Sequence, residues 1–460
     1  MKSCVAAVAL ISLALLSISC QSAPGQPHLV IYLTDDLGLL DTTIYGAGGV
    51  RTPNLERLAA AGMTFDSAFI ASPACAPSRA ALLTGLMPAR NGAEANHTYP
   101  KPGTAFLTAE LKGLGYEIAA FGKVAHGKDK PEYGFDYYSE PRVDLAAHVA
   151  GYFAQRETEG PLCLMVGDRR PHVPWTKQSI YDPAQVSLPP YFIDTQATRE
   201  HRARYFSDVT GLDDEMGKVL ELVRTELGEN VITLFTSDHG AQWPFGKWNL
   251  YDAGIRVPMV VSWPGQIEPN TRTGAMVSWI DILPTLIEMT GGTPPAGLDG
   301  RSFASVLRGE TEQHREEIFT THSGDGVMNV YPIRSIRTGR YKYILNLLPD
   351  SYHTNHSDIL RNDGAGAYWD SWDEAAEASP EAAAIVRSYF VRPAEELFDL
   401  QADPREQNNL AADPDHKALA EELRSKLESW MDEQGDQRTV FNEPYPVSGP
   451  KPNRETVPRN

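Results

Sequence analysis

Short apolar runs recur along the chain, and segments with a helical pattern separate them. The runs lie at 29–33, 118–121, 162–166, 231–235 and 257–261. Each run is continuously apolar, as is typical of strands that are buried on both faces of a sheet. The clearest helical pattern places apolar residues at spacings of three and four through Tyr205, Val209, Leu212, Met216, Val219 and Val223. Strands that alternate with helices predict a doubly wound, largely parallel α/β sheet.

The pattern changes after about residue 325. Residues 333–345 are predicted to form a hairpin around Thr338-Gly339, and the polar, Trp- and Tyr-containing segment that follows is predicted to be irregular. Asp413-Pro414 then predicts the start of a helix, and Gly435 predicts its end. A chain of 460 residues is long enough for one large domain and one small one. We expect a large α/β domain at 27–325 and a smaller C-terminal α+β domain at 326–445.

The N-terminus has the pattern of an export signal. Lys2 is followed by an apolar stretch at 5–18, which is short for a transmembrane helix and typical of a signal peptide. We therefore expect residues 1–20 to be a signal peptide and the protein to be exported by a bacterium, into the periplasm or onto the outer membrane. The segment 17–20 resembles a lipoprotein box, which predicts a lipid anchor at Cys20; simple secretion is the alternative.

The charge and the cysteines exclude two classes of protein. A net charge of −19 argues against a general nucleic-acid binder, which needs a basic surface. An anionic substrate would therefore need positive charge that is concentrated at its site. The four cysteines, of which Cys4 and Cys20 lie in the leader, do not form a disulfide framework. Cys163 lies in an apolar run and is predicted to be an inert core residue.

Polar residues follow the predicted strands at the points where the strands end. They are Asp35, Asp36, Lys123, His126, Arg169, Arg170, His172, Asp238, His239 and Lys247. Ligands of open α/β sheets bind beyond the carboxyl ends of the strands. Three carboxylates that met there would repel one another without a cation, and a hard divalent ion accepts such oxygen ligands. Each residue alone could equally be a turn, a cap or a surface residue, and only the joint arrangement favours a site.

The segment 75–79 predicts an anion site at the beginning of a helix. Pro77 suits a first helical turn, so Cys75 lies near free backbone N–H groups. Arg79 adds a permanent, forked cation for a tetrahedral oxyanion. Cys75 could be a buried structural thiol or a thiolate nucleophile, and the residues alone leave both interpretations open.

At these residues the sequence resembles the type I, formylglycine-dependent sulfatases of the alkaline phosphatase superfamily. Their signature Cys-x-Pro-Ser-Arg-x-x-x-Leu-Thr-Gly is matched by Cys75, Pro77, Ser78, Arg79, Leu83, Thr84 and Gly85. The resemblance extends over nearly the whole chain after the leader. It implies an alkaline-phosphatase-like mixed sheet, one calcium ion per chain, and oxidation of Cys75 to formylglycine by a maturase.

The resemblance also implies a role for each matched residue. Calcium would be bound by Asp35, Asp36, Asp238, His239 and the modified Cys75. Arg79 would hold the formylglycine hydrate, and Lys123 and Lys247 would hold the sulfate. His172, or Lys247, would protonate the leaving group, and His126 would accept a proton from the hydrate.

Within that family the choice of substrate stays open. Segments at 189–192, 331–335 and 397–430 are most similar to N-sulfoglucosamine sulfohydrolases, whereas the spacing of Lys123 and His126 is that of iduronate-2-sulfatase-like branches. We expect a sulfated carbohydrate, either glycosaminoglycan-like or algal, with substrate contacts from Arg169, Arg170, His97 and His322. The alternatives are a phosphoesterase or phosphonate hydrolase of the same superfamily, and a non-catalytic glycan-binding lipoprotein.

Overall fold

A computed structural model describes residues 25–126 and 133–458 of the chain. Within these ranges the main sheet has eight strands, which lie in the order β5 (Tyr137–Ser139), β4 (Glu117–Gly122), β6 (Leu162–Gly167), β1 (His28–Thr34), β7 (Val231–Ser237), β8 (Met259–Ser262), β2 (Met63–Phe65) and β9 (Thr271–Thr273). The first five strands in this order (β5, β4, β6, β1 and β7) run parallel to one another. Strand β8 is antiparallel to both of its neighbours, β7 and β2. The predicted sheet, parallel at its centre and mixed overall, is confirmed.

Helices cover both faces of this sheet. In chain order they are α1 (Pro53–Ala60), α2 (Cys75–Thr84), α3 (Pro88–Asn91), α4 (Leu107–Gly113), α5 (Leu145–Phe153), α6 (Gln196–Leu227), α7 (Asp252–Ile255), α8 (Ile282–Met289) and α9 (Ala304–Leu307). Alternate residues of β1 enter opposite cores: Leu29 and Ile31 pack on the side of α2, α4 and α8, and Val30 and Tyr32 on the side of α5 and α6. Burial on both faces explains why the strand is continuously apolar.

A second sheet lies in the C-terminal part of the chain. Its antiparallel strands are β11 (Ile318–His322), β12 (Ile333–Arg337), β13 (Tyr341–Asn346) and β14 (Glu395–Asp399), while β3 (Ala68–Phe69) and β10 (Val277–Ser278) form a separate short pair. Strands β12 and β13 are the predicted hairpin. Helix α13 (Lys417–Gln434) ends at Gly435, which has the left-handed conformation, and it packs Leu423 and Leu427 onto this sheet. The expected domain division at residue 325 stays a prediction, although β11 already belongs to the second sheet.

The segment between β13 and β14 is not irregular, so that prediction was wrong. It contains α10 (His356–Leu360), α11 (Trp369–Ala378) and α12 (Pro380–Phe390). Trp369, Trp372 and Tyr389 are fully buried, and they join the same core cluster as α6. These helices are held by packing against a distant part of the chain, which the local pattern of the segment does not reveal.

The structure leaves the predicted leader untested. Residues 1–20, including Cys4 and Cys20, lie outside the described residues. Over the two described ranges, no helix combines the length and the apolar character that crossing a bilayer requires. Cys163, in β6, is fully buried and free, and burial raises the pKa of its thiol, as expected for an inert core residue.

Candidate active site

The ends of two neighbouring strands bring the predicted carboxylates together. In the parallel register of β1 and β7, Thr34 lies opposite Ser237, so Asp35-Asp36 and Asp238-His239 leave the sheet side by side. The backbone N–H of Asp36 donates to Oδ1 of Asp238 over 3.1 Å. Asp35, Asp36, Asp238 and His239 are each at most 1% exposed. Such burial of three carboxylates requires compensating positive charge.

Cys75, the first residue of α2, lies against this cluster. Its Sγ is 3.5 Å from Oδ1 of Asp35, 3.3 Å from Nε2 of His239 and 3.2 Å from Nζ of Lys123. Helix α2 is fixed beside the strand ends because the Ser78 hydroxyl donates to the carbonyl oxygen of Asp238 over 2.5 Å. The signature cysteine therefore lies within contact distance of both the predicted metal ligands and a predicted sulfate-binding lysine.

The environment of Cys75 does not favour a free thiolate. Burial raises the pKa of the Cys75 thiol to about 12, even though Lys123 and Lys247 act in the opposite direction. The unmodified side chain is therefore a protonated thiol at neutral pH, and a protonated thiol is a poor nucleophile. This argues against the interpretation of Cys75 as a thiolate nucleophile.

Three cationic side chains neutralise the three carboxylates. Nζ of Lys123 donates to both oxygens of Asp35, at 2.8 and 2.6 Å, and Nζ of Lys247 donates to both oxygens of Asp36, at 2.9 and 3.0 Å. Nε of Arg79 donates to Oδ2 of Asp238 over 3.0 Å. Because these charges already balance, a divalent cation bound among the carboxylates would leave the site with an excess of positive charge, which favours an anionic ligand.

The pKa shifts follow from the same contacts. Burial alone would raise the pKa of Asp35, but Lys123 foremost, together with His172, Arg79 and Lys247, holds it well below its usual value. Burial would lower the pKa of Lys247, but Asp36 and the other acidic groups of the site raise it. Asp35 and Lys247 are therefore charged at neutral pH.

The donor set fits a divalent metal ion. One ligand atom from each of Asp35, Cys75, Asp238 and His239 lies within 4.8 Å of the others. Nδ1 of His239 is 2.9 Å from the carbonyl oxygen of Gly240, to which it donates, and this hydrogen bond leaves Nε2 as the ring nitrogen that can bind a metal ion. This Nε2 lies 3.4 Å from Oδ1 of Asp36 and 3.6 Å from Oδ1 of Asp238. A lone pair on Nε2 and the lone pairs on these two carboxylate oxygens would repel one another at such distances. A cation bound between them would remove this repulsion.

Two further predicted histidines border the cluster. A ring nitrogen of His172 lies within 4.8 Å of ligand atoms of Asp36 and Cys75, and its Nδ1 contacts the carbonyl oxygen of Val173 at 2.6 Å. Burial lowers the pKa of His172. Burial, with the nearby charge of Lys123, lowers the pKa of His126 to about 3. Both rings are therefore neutral at neutral pH, and a neutral ring can accept a proton.

The residues that were predicted to contact substrate lie in different environments. Arg169 is about one-third exposed and pairs with Glu140. Arg170 instead binds Asp168 through Nε at 3.0 Å and Nη2 at 2.7 Å, and its Nη1 donates to the carbonyl oxygen of Gly211 in α6. These contacts direct three of the five N–H groups of its guanidinium towards the fold, while the side chain stays 30% exposed, so a substrate contact from Arg170 stays a prediction.

The structure does not support the predicted substrate contact of His322. His322 is fully buried in β11, and its Nε2 lies 2.6 Å from Oδ1 of Asn329. Burial lowers the pKa of His322 to about 4, so the ring is neutral. A side chain without solvent exposure cannot meet an incoming sugar. His97, by contrast, is 61% exposed, and its Nδ1 lies 3.0 Å from Nε2 of His126.

Sequence reasoning missed a buried carboxylate near the nucleophile, Asp325. Its Oδ2 accepts hydrogen bonds from Nδ2 of Asn96 at 2.9 Å and from Nε1 of Trp248 at 2.8 Å. Oδ1 of Asn96 accepts in turn from the backbone N–H of Ala76, over 3.1 Å. Asp325 follows β11 in a glycine-flanked loop that matches no motif, so its nearness to Cys75 is a property of the tertiary structure alone.

A separate cavity of about 770 Å³ lies beyond the loop that carries Lys247. Tyr191, Trp243, Phe245 and Arg405 are among its lining residues, and none of the candidate catalytic residues lines it. The chemistry that the sequence predicts is therefore located in the buried cluster around Cys75 and not in this larger space.

The fold and the site together define an α/β protein in which a buried cysteine lies beside carboxylates and cationic side chains at the strand ends. The chain belongs to the sulfatase family, whose members are sulfuric ester hydrolases: the family model for sulfatases matches residues 27–292. A model for the C-terminal part of N-sulphoglucosamine sulphohydrolase matches residues 239–355. The recognition of the family from the signature at Cys75 is thereby confirmed.

Curated relatives agree with this assignment, and a solved structure has a similar fold. The chain is 31% identical to an ulvan-active sulfatase of Formosa agariphila, over 93% of this chain and 84% of that protein. It is 28% identical to N-sulphoglucosamine sulphohydrolase of Homo sapiens, over 90% of this chain and 91% of that protein. In fold it is similar to a phosphonate monoester hydrolase of Agrobacterium radiobacter, with a TM-score of 0.69, 20% identity, and coverage of 91% and 98% of the two chains.

Proposed function

We propose that this sulfatase removes sulfate groups from sulfated carbohydrate, with a formylglycine made from Cys75 and one calcium ion. The observation that carries the proposal is the position of Cys75 Sγ, which lies between the Asp35 carboxylate, Nε2 of His239 and Nζ of Lys123. The ulvan-active and N-sulphoglucosamine relatives support a sulfated sugar as the substrate. They differ in their sugars, so the position and linkage of the sulfate are left to experiment.

Asp35, Asp36, Asp238 and His239 would hold the metal ion, together with the modified residue 75. The ion supplies Lewis-acid stabilisation of negative charge on the sulfate oxygens. Formylglycine supplies a hydrated aldehyde as the nucleophile. The other roles fall to side chains of the chain itself, and the contacts described above constrain each of them.

Lys123 and Lys247 would bind the sulfate group. Nζ of Lys123 lies 3.2 Å from Sγ of Cys75, which is within reach of an oxyanion placed at the nucleophile. Both ammonium groups are almost completely buried, and a buried cation interacts strongly with an anion because little water screens it. Arg79 would orient residue 75 indirectly, since its guanidinium contacts Asp35 and Asp238.

His172 and His126 would carry protons. His172 borders Asp36 and Cys75, and either His172 or Lys247 would donate a proton to the leaving oxygen or nitrogen; Lys247, whose pKa is raised, carries that proton at neutral pH. His126 would accept a proton from residue 75 when sulfate leaves. The low pKa of the His126 ring keeps it unprotonated at neutral pH, and it also makes the ring a weak base, so the role requires that the pKa rise when substrate is bound.

We also propose where the protein acts. The signal peptide pattern at 1–20 supports export, and a lipid anchor at Cys20 would hold the enzyme at the outer membrane of a bacterium. Oxidation of Cys75 requires a maturase as a partner. An exported enzyme would meet large sulfated polymers before uptake, which fits a glycan substrate.

The test is sulfate release from defined oligosaccharides that carry N-, 2-O-, 3-O-, 4-O- or 6-O-sulfate, with an aryl sulfate and a phosphonate monoester for comparison. We expect release from a subset of the sulfated sugars by protein that was co-produced with a maturase, and none by a Cys75→Ala variant. Peptide mass spectrometry should show an aldehyde at residue 75, with Cys163 unmodified in the same sample as the control. Full activity with only unmodified Cys75, or hydrolysis of the phosphonate alone, would refute the proposal.

A further inference from the structure

Three side chains beside the candidate active site contact one another in series: Asp325 contacts His97, and His97 contacts His126. Oδ1 of Asp325 is 3.5 Å from Nε2 of His97, and Nδ1 of His97 is 3.0 Å from Nε2 of His126. The two imidazole rings have centroids 4.9 Å apart. The three side chains come from different parts of the fold: the loop after β11, the segment after α3, and the segment after β4. Their alignment is therefore a product of the tertiary structure.

Asp325 is a charged acceptor at the start of this series. Burial would raise the pKa of its carboxyl group, but His97, His356 and Asn96 lower it, so that the group is ionised. An ionised carboxylate accepts hydrogen bonds and does not donate them. Oδ2 is already occupied by Asn96 and Trp248, which leaves Oδ1 for the ring of His97.

This acceptor sets the direction of the hydrogen bonds. If His97 carries one ring proton and Nε2 donates it to Asp325, then Nδ1 is an acceptor, and it takes the proton of Nε2 of His126. Nδ1 of His126 is left without a proton. It is buried, and it has no hydrogen-bond partner among the described residues. A neutral histidine whose second nitrogen is held by a carboxylate or another acceptor has a fixed tautomer and orientation.

One contact could reverse the direction. Nδ2 of Asn96 lies 3.4 Å from Nε2 of His97 and could donate to it. The same Nδ2 already donates to Asp325 at 2.9 Å, and Oδ1 of Asn96 is held by the N–H of Ala76. A carboxylate is the stronger partner for a ring N–H, because hydrogen bonds to a charged acceptor are stronger than neutral ones.

We propose that Asp325 and His97 are positioning residues, which hold His126 in the Nε2-protonated tautomer and so keep its Nδ1 as the free, proton-accepting nitrogen at the site. The importance of this tautomer for turnover rests on the proposed function, in which His126 accepts a proton. The tautomer itself does not rest on it, because it can be measured in protein that carries unmodified Cys75.

The first test is NMR of full-length protein labelled with 15N at histidine, with the two rings assigned from His97→Gln and His126→Gln variants. We expect the proton on Nε2 in both rings of the parent protein, and loss of this preference at His126 in Asp325→Asn. A proton on Nδ1 of His97, donated towards His126, would overturn the proposal. This measurement is independent of catalysis, so it stands even if the proposed function fails.

The second test measures kcat and KM in two matched variants at position 97. His97 is exposed, so we expect both variants to fold. Leu at position 97 removes both hydrogen bonds, and we expect His97→Leu to lower kcat roughly tenfold or more, the loss typical of removing a partner that orients a reactive group. The amide of Gln can accept from His126 and donate to Asp325, so His97→Gln should keep kcat within about threefold of the parent protein. KM should change less than about twofold in both, because neither variant removes a sulfate contact.

A remote pair serves as the control. His416 and Asp413 form a similar contact on the surface, with Nδ1 3.0 Å from Oδ2. Asp413→Asn and His416→Gln should leave kcat and the tautomers of His97 and His126 unchanged. Because Asp325→Asn could fail to fold, its melting temperature is measured first, and His97→Leu then decides the outcome. Parent-like kcat in His97→Leu, or equal losses in His97→Leu and His97→Gln, would refute the proposal.

Discussion

Arg79 and Asp238 hold each other across the strand ends, where Nε and Nη2 of the arginine approach the same oxygen, Oδ2, at 3.0 and 2.9 Å. Both side chains are at most 1% exposed. Nη1 donates to the carbonyl oxygen of Lys123, and Nη2 lies 3.3 Å from that of Thr34. One side chain thus joins the ends of β1, β4 and β7, and the signature helix is fixed by the same contacts that neutralise the carboxylates.

The first prediction concerns this pair. Arg79→Lys keeps the charge but loses the fork that contacts Asp238, Asp35 and the two carbonyl groups. Loss of hydrogen bonds to charged groups in this buried position should lower the free energy of unfolding by about 1.5–3 kcal/mol, as measured by urea denaturation. Arg340→Lys serves as the control. It alters an exposed guanidinium group that pairs with Asp399, and it should leave the free energy of unfolding nearly unchanged. Equal effects of the two substitutions would contradict the structural role of Arg79.

The second prediction concerns the metal. Removal of divalent ions should abolish sulfate release and lower the melting temperature, and calcium should restore both. An ion that binds only the folded state at a hundred times its Kd stabilises it by about 2.7 kcal/mol. In Asp35→Asn the calcium-dependent rise in melting temperature should disappear, whereas it should persist in the surface variant Asp370→Asn. Full turnover by protein that elemental analysis shows to be metal-free would contradict the prediction.

The third prediction separates two adjacent arginines. Arg169 pairs with a partly exposed Glu140 and lies near His172. Arg169→Ala should therefore lower kcat/KM on a sulfated oligosaccharide, by a factor that corresponds to about 1–3 kcal/mol of activation free energy. The loss of kcat/KM on an aryl sulfate should be much smaller. Arg170 binds Asp168 and α6, so Arg170→Ala should chiefly lower the melting temperature. Equal kinetic losses on both substrates in Arg169→Ala would show that Arg169 serves the sulfate or the fold and not the sugar.

The fourth prediction concerns the pH dependence of stability. Burial raises the pKa of Asp358 to about 7, although the Tyr389 hydroxyl and the Asn355 N–H lower it, and its Oδ2 has no partner among the described residues. The folded state therefore binds a proton that the unfolded state releases near pH 4. Its contribution to stability is complete below that pH and is lost as the pH rises to about 7, by roughly 1.4 kcal/mol per pH unit.

The matching variant is Asp358→Asn, which keeps the acceptor oxygen and removes the titration. Its unfolding free energy should vary less between pH 4 and 7 than that of the parent protein, and it should be the more stable of the two at pH 8. Asp370→Asn, at an exposed carboxylate, should keep the parental pH dependence. Parallel pH profiles for the parent protein and Asp358→Asn would contradict the raised pKa.

Much of the site could be predicted because its residues lie at fixed offsets from strands and from one helix. Asp35, Asp238 and Lys123 follow apolar runs that are recognisable in the sequence, and Cys75 lies in a dense local signature. The contacts of Arg170 and His322 could not be predicted, for a common reason: distance along the chain from a functional residue does not say which way a side chain points. Arg170 turns to Asp168, and His322 is covered by its own sheet.

The sequence alone determined the sheet, the family and the nucleophile, because periodic burial and a local motif are properties of consecutive residues. Only the tertiary structure decided which charges meet, as in the pairs that Lys123 and Lys247 form with Asp35 and Asp36. It also decided that Asp325, which is far from Cys75 in sequence, supports the segment beside it through Asn96. Such contacts depend on how strands and loops that are distant in sequence converge at one edge of a sheet, and no local pattern encodes that convergence.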